Sequence, residues 1–158
     1  MNSAGERHQA RLAMPFAVLG VRTESDFVTG IDYLPKDTGL LEAVDLFTAE
    51  VCRQLRAYVV DPRFRFDLPI ATGGTAFQKR AWATISRIPC GATLTYTEVA
   101  TQLGSGPRAV GSACGANRVP LVIPCHRVVA RGGLGGFMNA KGGFALEVKR
   151  WLLAHERN

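Results

Sequence analysis

The sequence predicts an α+β first half followed by a mainly helical second half, and three observations lead there. Residues 14–22 and 27–34 read as two strands joined by the turn-like Thr23-Glu24-Ser25-Asp26. Residues 41–60 place Val44, Phe47, Val51, Leu55 and Tyr58 at steps of three and four, the period of a helix. Beyond Gly73-Gly74 the signals become those of short capped helices, so the glycine pair marks the expected division into residues 1–74 and 75–158.

Taken in order, residues 1–11 are polar and expected to be loose, and residues 35–39 form a loop. After Asp61-Pro62, residues 64–70 alternate like a further strand. Thr75 is placed to cap a helix over 76–88, with Phe77, Ala81, Ile85 and Ile88 on one stripe, and Pro89 and Gly91 break it. Thr97 can cap a helix over 98–103 that Gly104 stops. Pro107 suits the first turn of the next helix, which runs to about Ala116. Two short helices around Gly104-Ser105-Gly106 make a helix-turn-helix candidate. Residues 119–129 are apolar and expected to be extended, interrupted by Pro120 and Pro124; Gly132, Gly133, Gly135 and Gly136 then form a flexible loop. A last helix over 143–156 aligns Phe144, Val148, Trp151, Leu152 and His155, and both Trp82 and Trp151 are expected in the core.

The chain of 158 residues is 47% hydrophobic and 20% charged, ordinary for a globular protein. No apolar run reaches bilayer length. Residues 12–21 do not read as a secretory leader, because Pro15 interrupts them and no clear cleavage site follows; a cytoplasmic setting is expected. The net charge of +6 is uneven: residues 1–74 hold 8 Lys/Arg against 10 Asp/Glu, a net −2, and residues 75–158 hold 11 against 3, a net +8. A basic second half suits an acidic partner. Cys52, Cys90, Cys114 and Cys125 form no CxxC pair and no disulfide framework, so free thiols, a reducing compartment and no metal are expected. Cys90 and Cys114 are expected to pack as small apolar residues.

The densest chemical signal is Ile123-Pro124-Cys125-His126-Arg127-Val128. A cysteine attacks as thiolate, so a nearby base or cation must raise the ionised fraction. His126 is adjacent in sequence, but neighbours in an extended segment point to opposite faces, so contact needs a bend at Pro124 or a bridging water. A third group should orient the imidazole, and Glu156 is the leading acidic candidate.

From Thr75 onward the chain resembles the O6-alkylguanine-DNA alkyltransferases (methylated-DNA–protein-cysteine methyltransferases), through GTAFQKRAW, IPCGATLTYTEVA, GPRAVGSACGANRVPLVIPCHRVV and KRWLLAHE in the family's order. The resemblance implies a ribonuclease H-like first domain and a winged-helix-like second one. It implies direct-reversal repair, in which an alkyl group moves once and permanently from O6 of guanine in double-stranded DNA to Cys125. O4 of thymine stays open as a second target. His126 would take the thiol proton through a water, Glu156 would bond the histidine, and Tyr96 would donate to the departing guanine. Asn117 would tie the helix-turn-helix to the active segment. Arg108 would fill the space of a base flipped from the minor groove, with Pro107, Ala109, Gly111, Ala113, Arg118 and Arg127 along the DNA. The small residues of that helix allow close approach. Val128, Gly135, Gly136, Phe137 and Met138 would line the pocket. No cofactor is implied, and the partner is lesion-bearing duplex DNA bound by a monomer, with cooperativity left open.

The stretch MNAKGGFALEVK after Phe137 looks longer than in common relatives, which leaves the preferred alkyl size open. Three competitors are a non-catalytic lesion binder, a cysteine hydrolase and a plain DNA-binding regulator. The first commonly lacks the acceptor cysteine, the second needs turnover and an oxyanion site, and the third would tolerate loss of Cys125.

Overall fold

Alternating apolar residues near the start of the chain produce a three-stranded antiparallel sheet: β1 (Ala10–Ala13), β2 (Val18–Glu24) and β3 (Phe27–Leu34), in that spatial order. The computed structural model describes residues 7–136 and 143–157. The chain divides into two compact units, residues 1–72 and 73–158.

In the first unit β1 corrects the expectation of a loose segment through residue 11. Ala10 pairs with Val21 and Leu12 with Leu19, and Ala10 and Leu12 are buried, so tertiary pairing orders a polar-looking stretch. The second strand starts at Val18 rather than residue 14, because Met14 N–H donates to the Ala17 carbonyl in a turn. Helix α1 spans Leu46–Val60. It starts later than the apolar period suggests: Asp45 caps it by accepting from Thr48 N–H, while Leu41 exchanges backbone hydrogen bonds with Arg11. Val51, Leu55 and Tyr58 are buried, and Val44 is exposed. Residues 64–70 do not form a strand. They alternate in exposure, but Gln54 holds them through Asp67, donating to its carbonyl and accepting from its N–H, and only Ile70 bridges to Val28.

In the second unit α2 (Ala76–Ile85), α3 (Tyr96–Leu103) and α4 (Pro107–Gly115) pack together. Thr75 and Gln78 form a reciprocal capping box on α2. That helix ends at Ile85, because Pro89 disfavours helical backbone just before it; Ile88 is buried from a turn instead. Thr95, not Thr97, caps α3, because Thr95 lies three residues before Glu98 and the two exchange backbone bonds as a capping box. Gly104 stops α3 in the left-handed conformation, and Pro107 opens α4. The Trp82 indole N–H donates to the Ala113 carbonyl at 2.8 Å and locks α2 to α4.

A parallel pair, β4 (Leu94–Thr95) with β5 (Val128–Val129), joins the start of α3 to the segment that carries Cys125. Helix α5 (Phe144–Arg157) buries Ala145, Val148, Lys149, Leu152 and Glu156; Trp151 is only half-buried and stacks on His155. Among the described residues no helix is long and apolar enough to cross a membrane.

Candidate active site

Cys125 lies in a tightly turning stretch of backbone. Leu121 has a φ of 76°, a left-handed conformation that branched side chains avoid. Pro124 (φ −83°, ψ 62°) centres an inverse γ-turn closed by Cys125 N–H to the Ile123 carbonyl at 2.8 Å. Cys125–Arg127 then make a single 3-10 turn before β5. This corrects the expectation of an extended 119–129 segment: two prolines withhold ladder donors, and the chain coils at the cysteine.

The bend at Pro124 does not bring Cys125 onto His126; among the described residues no hydrogen bond joins the two side chains. Each is taken by a different neighbour. Asn117 N–H (Nδ2) donates to the Cys125 sulfur at 3.3 Å and to the Ile123 carbonyl at 2.9 Å. Its Oδ1 accepts from Val119 N–H at 2.9 Å, which fixes the amide so that its donor end faces the sulfur. A donor on sulfur favours the thiolate, but the neighbouring Cys114 and burial outweigh it and hold the Cys125 thiol well above its ordinary value.

His126, 1% exposed, lies with Nε2 2.7 Å from Glu156 Oε2. Arg127 donates to both oxygens of that carboxylate, at 2.8 and 3.0 Å. Held between these partners Glu156 acts as an acceptor, so Nε2 carries the imidazole proton and Nδ1 presents a lone pair. Nδ1 is buried with no protein partner among the described residues. Burial holds His126 below the ordinary histidine value against the opposing pull of Glu156, which keeps the ring neutral at pH 7.

Arg127 is expected along DNA but turns inward instead. It is spent on Glu156 and on the Ile88 carbonyl at 2.7 Å, with its side chain 12% exposed. Ala113 is likewise removed from the outer face of α4: it is 1% exposed and packs inward beside Val110. Pro107, Arg108 and Arg118 are exposed, and Ala109 and Gly111 half-exposed.

Tyr96, in the first turn of α3, donates from its hydroxyl to the Gly136 carbonyl at 3.3 Å. Burial, then the nearby Cys114, pushes its pKa to about 12, so the phenol keeps its proton. Val128 is buried in β5, and Gly135 packs on the Tyr96 ring. Phe137, Met138 and Lys141 lie outside the described residues.

One polar member was missed in the sequence. Lys149 is 0% exposed, and its ammonium donates to the carbonyls of Val128, Leu134 and Gly136 at 2.8, 2.7 and 2.9 Å. Burial lowers its pKa to about 8, opposed by Cys114 and Cys125. Its position three residues before Leu152 and four after Ala145, on the apolar stripe of α5, was the available signal. Among the described residues no group of three or more His, Cys, Asp or Glu is placed to hold a metal.

A buried sulfur with an amide donor, a neutral imidazole–carboxylate pair and a buried ammonium form an arrangement suited to a cysteine nucleophile. Residues 76–158 match the family model of the 6-O-methylguanine DNA methyltransferase, DNA binding domain. The chain is 47% identical over 91 residues to the methylated-DNA–protein-cysteine methyltransferase of Shigella flexneri, covering 56% of this chain and 51% of that protein. It is 40% identical over 127 residues to the same-named protein of Mycolicibacterium paratuberculosis, covering 79% and 74%. A crystal structure of the Mycobacterium tuberculosis O6-methylguanine methyltransferase aligns over 95% of this chain and 92% of its own, with TM-score 0.77 and 29% identity. Another, of Mycobacterium tuberculosis OGT in complex with DNA, aligns over 93% and 91%, with TM-score 0.76 and 30% identity. The match spans about half the length of the Shigella and Salmonella methyltransferases. The chain belongs to the 6-O-methylguanine DNA methyltransferase family.

Proposed function

We propose that this chain repairs DNA by direct reversal, taking an alkyl group from O6 of guanine onto Cys125 and keeping it. The observation that carries the reading is the Cys125 sulfur itself, fixed by Asn117 in a turn beside a neutral His126 whose Nε2 is committed to Glu156. The sulfur forms a bond to the alkyl carbon as the carbon–O6 bond breaks. Its proton passes through solvent to Nδ1 of His126, and the guanine takes a proton from Tyr96. The thioether has no route back, so each molecule acts once. O4 of thymine is a second target of the same chemistry.

The partner is duplex DNA bearing the lesion, which must be everted from the stack to meet a buried sulfur. The exposed start of α4 enters the minor groove, Arg108 fills the vacated space, and Pro107, Ala109, Gly111 and Arg118 line the backbone. The existence of a DNA-bound relative supports this partner. In this reading residues 75–158 are a winged-helix-like DNA-binding and acceptor domain. Residues 1–74 are a ribonuclease H-like domain. The protein works as a monomer in the reducing cytoplasm, where its four free thiols persist.

The test is to incubate the protein with a duplex containing O6-methylguanine and weigh its peptides. One methyl is expected on Cys125 for each guanine restored. Repeated turnover, or restored guanine beside an unmodified Cys125, rules the assignment out.

A further inference from the structure

The turn between Asn117 and Cys125 carries strain that the chemistry above does not use. Leu121 and Ser25 are the two non-glycine residues at positive φ among the described residues. Ser25 lies in the exposed hairpin turn between β2 and β3. Leu121, at φ 76°, is 3% exposed and stands at the centre of a turn closed by Ile123 N–H to the Val119 carbonyl at 3.0 Å. Val119 and Ile123 are buried with it, so the backbone groups of this turn need protein partners. Asn117 supplies them: its Oδ1 accepts from Val119 N–H, and its Nδ2 donates to the Ile123 carbonyl.

We propose that Leu121 is a positioning residue for the acceptor cysteine, acting through its left-handed backbone on the Asn117 amide. The inference rests on the alkyl-transfer reading and deepens it. One N–H of Asn117 Nδ2 is fixed on the Ile123 carbonyl, and this aims the other at the Cys125 sulfur, 3.3 Å away. The same carbonyl accepts from Cys125 N–H at 2.8 Å. It is therefore the shared reference for the amide and for the backbone that carries the sulfur. The turn sets the place of that carbonyl, and the turn closes through residue 121. Right-handed or extended backbone there would swing the Ile123 carbonyl away from Asn117.

A glycine adopts this conformation freely, whereas a leucine adopts it only under strain. Such strain persists where the surroundings over-determine it, and it gathers at functional sites. The surroundings here are the Asn117 clamp on both ends of the turn and the burial of the leucine itself. Leu121 thus has two separable jobs. Its side chain is buried and serves stability. Its backbone keeps the sulfur's donor in line and serves transfer.

Two substitutions separate these jobs. Leu121→Gly keeps the left-handed backbone and removes the side chain. Leu121→Val keeps most of the buried apolar group but is β-branched, the kind of residue that avoids positive φ most strongly. Packing alone ranks the valine variant above the glycine variant; positioning reverses that ranking. Single-turnover methyl transfer to Cys125 is measured at saturating O6-methylguanine duplex, with the folded fraction taken from urea unfolding. Per folded molecule, Leu121→Val should transfer about tenfold more slowly than the unaltered protein, the scale of the strain in one left-handed residue. Its half-saturating duplex concentration should not change, and Leu121→Gly should lose less. In an Asn117→Ala background the valine substitution should add little, because the amide through which Leu121 acts is gone. That comparison decides the matter by itself should the glycine variant fail to fold. A glycine variant slower than the valine variant, or an equal valine loss with and without Asn117, would overturn the proposal while leaving alkyl transfer intact. Methyl iodide supplies a methyl group without DNA, so the same ranking read on the Cys125 peptide tests the positioning even where the unaltered protein leaves O6-methylguanine untouched, the outcome that would remove the functional reading.

Discussion

Gly135 and Tyr96 fit against each other with no room for a methyl group: a Cβ at Gly135 would lie 2.8 Å from the ring carbon Cε2 and 3.1 Å from the hydroxyl oxygen. Gly135 also has a φ of 74°, where a side chain is strained. The loop carbonyl at Gly136 accepts from the same hydroxyl. The glycine thus lets the pocket loop close down on the residue proposed to protonate guanine.

Gly135→Ala should therefore cost about 1–3 kcal/mol in stability and push the Tyr96 ring out of place. Methyl transfer should fall more than stability alone explains. Gly133→Ala is the control, since nothing lies within 4 Å of its added carbon. Urea unfolding and single-turnover transfer on both variants check this; equal behaviour of the two would show that Tyr96 tolerates displacement.

The His126–Glu156 pair makes a prediction about tautomers. Glu156→Gln replaces an acceptor by a group that can donate to Nε2, which shifts the imidazole proton to Nδ1 and removes the base. Transfer should slow by about two orders of magnitude, the usual scale for losing one proton-transfer group. The pH dependence has a defined sign. His126 is held below its ordinary value of 6.5, so below that pH the unfolded chain takes a proton that the folded chain refuses. Stability should fall as the pH drops below 6.5, and the fall should be shallower in His126→Asn. A matching slope in the variant would mean that other groups govern acid unfolding.

Much of this site was legible because its key residues are contiguous or lie on strong local signals. Cys125 and His126 sit in one short motif, and Tyr96, Asn117 and Glu156 follow from resemblance along the same half. The α2 cap at Thr75 and the stop at Gly104 were local and readable. What escaped was set by tertiary pairing. β1 forms because Ala10 and Leu12 find partners in β2, information absent from a polar stretch read by itself. Residues 64–70 have the alternation of a strand, yet their polar backbone is held by the Gln54 side chain, 13 positions away. Arg127 reads as one more surface cation until Glu156 is seen beside it. Lys149 breaks the expectation that lysines stay in water, and only three converging carbonyls explain it.

Lys149→Met keeps the length of the side chain and removes its charge. The buried Val128 carbonyl then loses a donor at about 1–3 kcal/mol and the part-buried Leu134 and Gly136 carbonyls lose one at less, partly offset by relief of the buried charge. Because burial lowers Lys149 to about 8 from its ordinary 10.5, the unfolded chain holds a proton between those values that the folded chain has lost. Stability contributed at this position should therefore rise with pH from about 8 toward 10.5, and the methionine variant should lack that rise. Urea midpoints at intervals across the window decide it; parallel curves would show that Lys149 stays charged throughout.

Arg108 separates DNA handling from chemistry. It is exposed in the first turn of α4, away from Cys125 in sequence and without a part in the sulfur's hydrogen bonds. If it fills the gap left by an everted base, Arg108→Ala should slow repair of duplex substrate by one to two orders of magnitude, since unstacking costs a few kcal/mol that the arginine no longer offsets. The same variant should react with free O6-methylguanine at close to the unaltered rate, because a free base needs no eversion. A plain phosphate contact behaves differently: its loss lowers affinity for damaged and undamaged duplex alike and reduces the salt dependence of binding by about one ion. Measuring transfer on duplex and free base, and binding to both duplexes over a range of salt, distinguishes the two roles. An equal loss on duplex and free base would place Arg108 in the pocket's support instead.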